Sequence, residues 1–326
     1  MNNKLIIGVT GTGSLIGQAI IKSIKKSKFN ESSHIIGFDY FSNTVGSFWC
    51  DKNIRLPDLL KGESILEEWK AVIVNTIIAE KISVLFIGVD FELKYFAQFK
   101  TEIETKTGAI VIVSPSNVIE IADDKYLTYL FLKENGLYYP KTYLPHEIDN
   151  IDVPFPLIVK PRIGARSRGV HVVKNYDEML HALNTEHNPI VQELVGDNST
   201  EFTCGVLFWD NENKGIIPLK RQLKEGNTFI AEYSNDFPEI IYKYVNDIAV
   251  KLKPFGACNF QLRVDKEGIP KLFEINSRHS GTTYMRALFG FNEVELIIKY
   301  LTNEAIRPLS LKEGKVVRYF DEFFVD

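Results

Sequence analysis

Short apolar runs separated by stretches of helical spacing set the pattern of the first third of the chain. Lys4 to Val9, His34 to Phe38, Ser83 to Gly88 and Ala109 to Val113 are apolar enough and short enough for buried strands. Between them, Leu15 to Ser27 places Leu15, Ile16, Ala19, Ile20 and Ile24 on one face of a helix. Residues 63–80 and 92–107 also read as helices. Strand–helix alternation of this kind predicts an α/β unit, a parallel sheet covered on both faces. Ser114-Pro115-Ser116-Asn117 punctuates its end.

The pattern then changes. Residues 123–135 read as a helix stopped by Gly136, followed by short strands near 141–144, 155–160 and 170–174 and a helix at 176–184. Strands at 190–195 and 201–209, a long helix at 235–253, a hairpin, a helix near 292–302 and a last strand from Lys315 to Phe320 complete the chain. This second part is α+β in character. The chain shows neither an internal repeat nor a low-complexity segment.

The 326 residues suffice for two or three domains with their own cores. The composition, 45% hydrophobic and 25% charged, is that of a soluble globular protein. The net charge of −4 provides no field for nucleic acid or an anionic membrane, so small-molecule chemistry is expected. Cys50, Cys204 and Cys258 are odd in number and far apart, which indicates neither a disulfide framework nor a thiolate zinc site. Met1-Asn2-Asn3-Lys4 leads straight into a strand and not into the apolar core of a signal peptide, and no apolar run reaches the ~18 residues that span a bilayer. The expected location is the cytoplasm.

The strongest chemical signal is Lys271-Leu272-Phe273-Glu274-Ile275-Asn276-Ser277-Arg278. Side chains on a strand alternate faces, so Glu274, Asn276 and Arg278 are expected on one face, with Phe273 and Ile275 on a core. A carboxylate and an amide oxygen together suit a hard cation such as Mg²⁺, and an Arg beside them suits phosphate or carboxylate. Asn259 to Asp265 reads as the partner strand of a hairpin closed by Asp265-Lys266-Glu267-Gly268, which lets Gln261 reach the same point. A solvated polar face on an edge hairpin is the alternative.

Three further segments carry candidate chemistry. Leu157-Ile158-Val159-Lys160-Pro161 ends a strand in a lysine, and the basic loop Arg162 to Gly169 returns to another strand, a flap able to close over phosphates or simply an exposed basic hairpin. Pro189 to Gly196, with Gln192-Glu193, could serve as a hinge for a purine edge, and Glu201 could accept ribose hydroxyls. Thr10-Gly11-Thr12-Gly13-Ser14-Leu15-Ile16-Gly17 opens the first helix. With Asp39 ending the next strand, this loop and the pair Tyr129/Lys133 admit a dinucleotide reading, but the G-x-G-x-x-x-G spacing is a loose match. The loop serves a ligand or only lets the chain enter the helix.

In order and spacing these parts resemble the ATP-grasp superfamily, and within it the carboxylate–amine ligases similar to the large subunit of carbamoyl phosphate synthase. Asp124-Lys125 resembles the pair at the head of the first ATP-grasp helix; Val159-Lys160-Pro161-Arg162 and Ser167-Arg168-Gly169-Val170 resemble the strand lysine and the flap. Gln192-Glu193-Leu194-Val195 resembles the adenine hinge and Glu201 the ribose carboxylate. Gln261, Glu274 and Asn276 resemble the metal-ligand trio, and Arg278 the arginine that holds the transferred phosphoryl group. Two departures stand out: Arg166 takes a place usual for a small residue in the flap, and Ser277 stands where Asn-Pro-Arg is frequent.

The resemblance implies a Rossmann-like pre-ATP-grasp domain over 1–114 and an α+β ATP-grasp domain over 115–326. The latter would have a small flap-bearing lobe at about 123–192 and a larger metal-binding lobe at about 193–326. It implies ATP with Mg²⁺, with Mn²⁺ as the alternative ion, small-molecule carboxylate and amine substrates, no nucleic acid or membrane partner, and a homodimer as the candidate assembly. Lys125, Lys160, Arg162, Ser167, Arg168, Gly169, Gln192 to Val195 and Glu201 would bind ATP. Gly11, Gly13, Asp90, Glu92, Gly281 and Thr282 are candidates for substrate contact. The implied reaction is amide formation through an acylphosphate. Its rivals are phosphorylation of a carboxylate or carbamate without ligation, and an accessory protein that binds ATP without turnover.

Overall fold

A computed structural model describes residues 4–164 and 168–325. Ser167, expected in the flap, and Arg166, its unusual neighbour, lie outside the described residues. The first sheet is parallel, with strands β1 (Leu5–Thr10), β2 (Ser33–Asp39), β3 (Lys52–Arg55), β4 (Val84–Phe86) and β5 (Ile110–Ile112) in the order β3-β2-β1-β4-β5. Helix α1 (Leu15–Lys26) covers one face; α2 (Val45–Phe48) is a single turn; α3 (Leu66–Glu80) and α4 (Leu93–Thr107) cover the other. The α/β alternation in the sequence is thus a doubly covered parallel sheet. Strand β3 has no apolar run, since its residues are largely exposed at the sheet edge. Helix α5 (Ser116–Asp123) begins directly after Pro115, where the sequence reading placed only punctuation.

Helix α6 (Lys125–Glu134) is capped by Asp124, whose carboxylate accepts from the N–H groups of Tyr126 and Leu127. A four-stranded antiparallel sheet follows: β6 (Thr142–Tyr143), β7 (Leu157–Pro161), β8 (His171–Val173) and β9 (Pro189–Glu193), in the order β6-β9-β7-β8, with α7 (Tyr176–Thr185) against it. The second large sheet holds β10 (Glu201–Trp209), β11 (Glu212–Lys224), β12 (Asn227–Tyr233), β13 (Gly256–Val264), β14 (Pro270–Asn276) and β15 (Gly314–Val317), in the order β14-β13-β10-β11-β12-β15. Helices α8 (Glu239–Leu252), α9 (Thr283–Leu288) and α10 (Glu293–Leu301) complete the fold.

Strands β11 and β12 escaped the sequence reading because their apolar alternation is diluted by charge. The turns that bound them are the signal that could have found them. Asp210 and Asn211 both take positive φ, and so do Glu225 and Gly226, the requirement of a two-residue hairpin turn matched to strand twist.

Burial ties the two large sheets together. Ile16, Ile20, Ile21 and Ile24 of α1 pack on Ile7, Val9 and Phe86 of the first sheet, in one core with Leu207 and Ile217 of the second and Val294 and Ile298 of α10. The small sheet has a separate core of six buried residues, Leu157, Val159, Val173, Met179, Ala182 and Val191. Among the described residues no helix is long and apolar enough to cross a membrane.

Candidate active site

Two cavities meet along one wall. The first, of about 830 Å³, lies between the small sheet and the second large sheet; the second, of about 1010 Å³, lies between that large sheet and the loops of the first sheet. Arg221, Gln261 and Glu274 line both.

The wall begins in the hairpin β13–β14, where Gln261 stands opposite Glu274. Gln261 donates through Nε2 to Glu274 Oε1 at 3.1 Å, and Asn276 donates through Nδ2 to the same oxygen at 2.9 Å. Arg278 donates to Asn276 Oδ1 at 2.9 Å, to the His279 carbonyl at 2.9 Å and to Asp90 Oδ1 at 2.5 Å. Arg221 donates to Gln261 Oε1 at 2.7 Å, and it joins Arg263 on the carboxylate of Glu201, a residue only 5% exposed. The hairpin therefore brings Gln261, Glu274, Asn276 and Arg278 into one hydrogen-bonded row. The expectation for Phe273 is corrected: Gln261 pairs with Glu274 but Leu262 with Leu272, so Phe273 is the extra residue of a β-bulge. The bulge turns its ring out of the core and into the first cavity, where Lys160 Nζ lies 5.6 Å from its centroid. Leu272 and Ile275 take the core positions.

Opposite this wall, Lys160 is buried at the end of β7 and donates to Gln192 Oε1 at 2.8 Å; Gln192 in turn donates to Thr142 Oγ1 at 2.8 Å. Burial, with the nearby charge of Lys125, lowers the Lys160 pKa to about 7 against the opposing pull of Glu274. Lys125 donates to the Gly164 carbonyl at 3.0 Å, at the root of the flap. Arg168, Glu193 and Val195 also line the first cavity. Glu193 accepts from Lys271 Nζ at 2.7 Å, which fastens the small sheet to β14. Gly196 is required at the crossing: its φ is +51°, and a Cβ there would stand 2.5 Å from the Val264 carbonyl oxygen.

Three residues expected to bind nucleotide do not line this cavity. Arg162 forks onto Asp124, which joins the flap root to the head of α6. Burial works to raise the Asp124 pKa, but the Arg162 fork and the helix N–H groups overcome it and hold the carboxyl below its ordinary range. Gly169 and Leu194 are likewise not part of the cavity's lining.

The second cavity is lined by Ser14, Leu15 and Ile16 at the head of α1, by Asp90 and Phe91, by Asn259, Asn276 and Arg278, by Ser280 to Thr282 and by Arg318. Of the residues expected to contact substrate, Asp90, Gly281 and Thr282 line this cavity. Gly11, Gly13 and Glu92 do not. Gly11 and Gly13 pack against neighbouring segments, where an added Cβ would meet Val89 and Thr44 respectively at 2.5 Å. The loop is clamped by Asp39, which accepts from the Gly13 N–H at 2.6 Å and from Thr12 Oγ1 at 3.0 Å. Asp39 is thereby spent on the loop and not offered to a ribose. Glu92 is fully buried, accepts from Tyr40 at 2.6 Å and from Thr10, and its pKa is pushed up to about 7 by burial.

Beneath the Ser280–Thr282 loop, the fully buried Arg286 pairs with Glu293 at 2.9 Å and donates to Ser280 Oγ at 2.9 Å, to Thr282 Oγ1 at 2.8 Å and to Asn259. His279 is buried edge-on to Phe86, and burial lowers its pKa to about 4, so it is neutral near pH 7 and ill suited to carry a proton. Arg221, Arg286 and Arg318 were missed in the sequence. The first lies on a polar strand, and the others sit in segments with no motif; only chain folding brings them to the cleft.

Known proteins resemble this chain in part of its sequence and in its fold. Residues 189–323 match the family described as ATP-grasp in the biosynthetic pathway with Ter operon. The uncharacterized protein MG011 of Mycoplasma genitalium is 33% identical over 134 residues, 40% of this chain and 44% of that one. D-alanine–D-alanine ligase A of Bacillus cereus is 27% identical over 187 residues, 50% of this chain and 60% of that one. The carbamoyl phosphate synthase large chain of Helicobacter pylori is 24% identical over 199 residues, 54% of this chain and 18% of that one. The chain spans about half the length of the first curated relatives it matches. Among solved structures, an L-amino acid ligase from Bacillus licheniformis superposes with a TM-score of 0.69 at 17% identity, covering 92% of this chain and 74% of that one. The biotin carboxylase domain dimer of the Hydrogenobacter thermophilus 2-oxoglutarate carboxylase, in complex with MgADP and bicarbonate, gives 0.71 at 16% identity, covering 95% and 73%. At such identities the structural likeness speaks for the fold.

Proposed function

From the premise that this chain carries an ATP-grasp domain, homologous to D-alanine–D-alanine ligase and to the large chain of carbamoyl phosphate synthase, we propose that it is an ATP-dependent carboxylate–amine ligase. One observation carries the reading: the row Gln261–Glu274–Asn276–Arg278 separates a cavity with two lysines at its roof from a polar cavity on its other side. A phosphoryl donor on one side and its acceptor on the other would meet at that row. The proposal includes residues 1–114 and 115–326 as the two domains, a homodimer as the assembly and the cytoplasm as the location.

In this reading ATP occupies the first cavity. Lys125, Lys160 and Arg168 neutralise phosphates, Phe273 and Val195 offer apolar surface, and Glu193 and Glu201 stand at its polar edge. The substrate carboxylate lies in the second cavity and attacks the γ-phosphorus. The bond from that phosphorus to the β–γ bridging oxygen breaks, and its electron pair leaves with ADP. Arg278 stabilises the charge on the moving group, a task of positioning and electrostatics. The amine nitrogen then attacks the acyl carbon of the acylphosphate, phosphate leaves with the C–O electron pair, and the amine gives up a proton to solvent.

A divalent cation fits the donor set. Among the described residues no cluster of three or more His, Cys, Asp or Glu is suited to a metal. The candidate ligands are instead one carboxylate, Glu274, and the amides of Gln261 and Asn276. Both amides now turn their NH₂ groups to Glu274, so their oxygens would have to swing round to face the ion. When bound, Mg²⁺, or Mn²⁺ in its place, supplies charge neutralisation on the phosphates.

The test is product analysis. Enzyme, ATP and Mg²⁺ are incubated with pairs of acids and amines, with hydroxylamine in place of the amine in a parallel set. ADP with phosphate, and a trapped hydroxamate, are expected. AMP with pyrophosphate would make the intermediate an adenylate and remove the role given to Arg278. Tight NADH binding with no response to ATP would remove the reading altogether.

A further inference from the structure

Among the described residues that line the second cavity, Arg318 is the guanidinium without a partner for its charge. Arg221 and Arg263 share Glu201, Arg278 has Asp90 and Arg286 has Glu293. Arg318, just past β15, is held by its backbone N–H on the Phe229 carbonyl at 2.8 Å, and its Nη2 donates to the Gly281 carbonyl. Its Nη1 is sealed from water and has no hydrogen-bond partner among the described residues. Burial lowers its pKa.

The surroundings add positive charge. Arg318 also lines a smaller cavity of about 550 Å³ together with Lys22 and Tyr284. The Lys22 pKa is lowered by burial and then by Arg318 itself, with Asp321 opposing. The head of α1, at Ser14 to Ile16, faces the same second cavity and presents the positive end of its dipole. An unpartnered N–H group in a partly buried cation is costly, and a planar carboxylate is the ligand that best removes that cost.

Resting on the ligase reading above, we propose that Arg318 binds a second carboxylate that does not react. The substrate pair then carries two carboxylates: one that accepts the phosphoryl group beside Arg278 and one anchored at Arg318. A carboxylate entering the second cavity draws the guanidinium round until Nη1 finds an oxygen. The anchored group has two sources, an α-amino acid serving as the amine or a dicarboxylic acid serving as the acceptor. Both are the same chemistry at Arg318. The anchor also supplies selectivity, because a ligand lacking it leaves the cation unpaired.

The experiment measures ADP release by the full chain over a grid of monocarboxylic acids, dicarboxylic acids, amines, amino acids and amino acid amides, in the wild type and in Arg318→Met and Arg318→Lys. Pairs holding two carboxylates should turn over with a kcat/KM about 10- to 100-fold above that of pairs holding one. In Arg318→Met the KM of the anchored substrate should rise by about 10- to 100-fold, the scale of one charge-assisted contact, with KM for ATP unchanged within about twofold. Arg318→Lys should recover only part of the loss. Converting the anchored carboxylate to a carboxamide should cause the same loss in the wild type and none further in Arg318→Met. Loss on amidating the amino acid identifies the amine as the source; loss on amidating one end of the diacid identifies the acceptor. Equal turnover of pairs with a single carboxylate, or additive losses, would overturn the anchor while leaving the ligase reading intact. If no pair releases ADP and ATP does not bind, the ligase reading fails. Calorimetric titration with succinate and with L-alanine still reads the anchor in that case. Binding present in the wild type and lost in Arg318→Met supports it, and equal binding, or none, overturns it.

Discussion

Of the two sides of the cleft, proposed above for nucleotide and for substrate, the nucleotide side holds Lys160, Gln192, Phe273 and Glu274 on strands, each next in the sequence to apolar residues that bury the strand. On the substrate side, Ser14 to Ile16, Asp90, Ser280 to Thr282 and Arg318 come from a helix head, a one-turn helix, a loop and the residue after the last strand. The two sides also rest on different cores. The roof over the nucleotide side is a small sheet with six buried apolar residues, whereas the substrate side is embedded in the core shared by both large sheets. The difference teaches where each property resides. In the ligase proposed above, nucleotide contacts would rest on local strand motifs, and substrate contacts on segments distant in sequence that the shared core brings together.

The comparison breaks most sharply at the shared wall. Glu274→Gln keeps the volume and removes the only carboxylate of the row, so kcat should fall by at least about 10²-fold, the scale of losing one preorganised electrostatic partner. The melting temperature should hardly move. Near-normal turnover at saturating Mg²⁺ would show that the wall does not carry the reaction. Arg278→Ala should lower kcat by about 10²-fold while changing KM for ATP far less, because its contact is made chiefly in the transition state. Arg278→Lys should not restore the rate, since a point charge cannot copy the planar fork now shared among Asn276, His279 and Asp90.

On the nucleotide side alone, Lys160→Ala should weaken ATP binding by about 10- to 100-fold with little effect on substrate KM. The pH dependence follows from burial. With its pKa lowered to about 7, Lys160 is half neutral near that pH in the free protein, whereas a polyanion favours the ammonium form. ATP binding should therefore take up a proton, and affinity should fall as pH rises above about 7, by at most tenfold per pH unit. Calorimetry in buffers of different ionisation enthalpy reads the uptake, which should vanish in Lys160→Ala.

The smallest effect belongs to Glu92, the carboxylate that the sequence placed with the substrate and the structure buries outside both cavities. Glu92→Gln should leave every KM unchanged. The folded pKa of about 7 stands above the ordinary 4.5, so the folded protein binds the extra proton between those values. Stability should thus be highest below about pH 4.5 with respect to this group and decline as pH rises towards 7. Thermal melts of Glu92→Gln against the wild type should show that decline removed. A changed substrate KM would return Glu92 to the cleft.

The sequence by itself determined most strands and helices of the first sheet and the hairpin that carries Gln261, Glu274 and Asn276. Period-two alternation puts Glu274 and Asn276 on one face whatever the rest of the chain does, and the apolar run before Lys160 makes a buried strand end. Turn chemistry at Asp265 to Gly268 closes the hairpin that sets Gln261 opposite Glu274. Tertiary structure alone decided the rest. The bulge that turns Phe273 into the cavity depends on the mismatch between two strands, which no single strand encodes. The roles of Arg162 and Glu193 depend on Asp124 and Lys271, residues 38 and 78 positions away, which satisfy them before any ligand can. Arg318 reaches the cleft only because β15 pairs with β12, and Arg286 is buried only because Gly205 leaves room for its guanidinium. Local patterns survive in sequence because backbone geometry is periodic; the partners of a charged side chain do not, because they are set by which surfaces the folded core brings together.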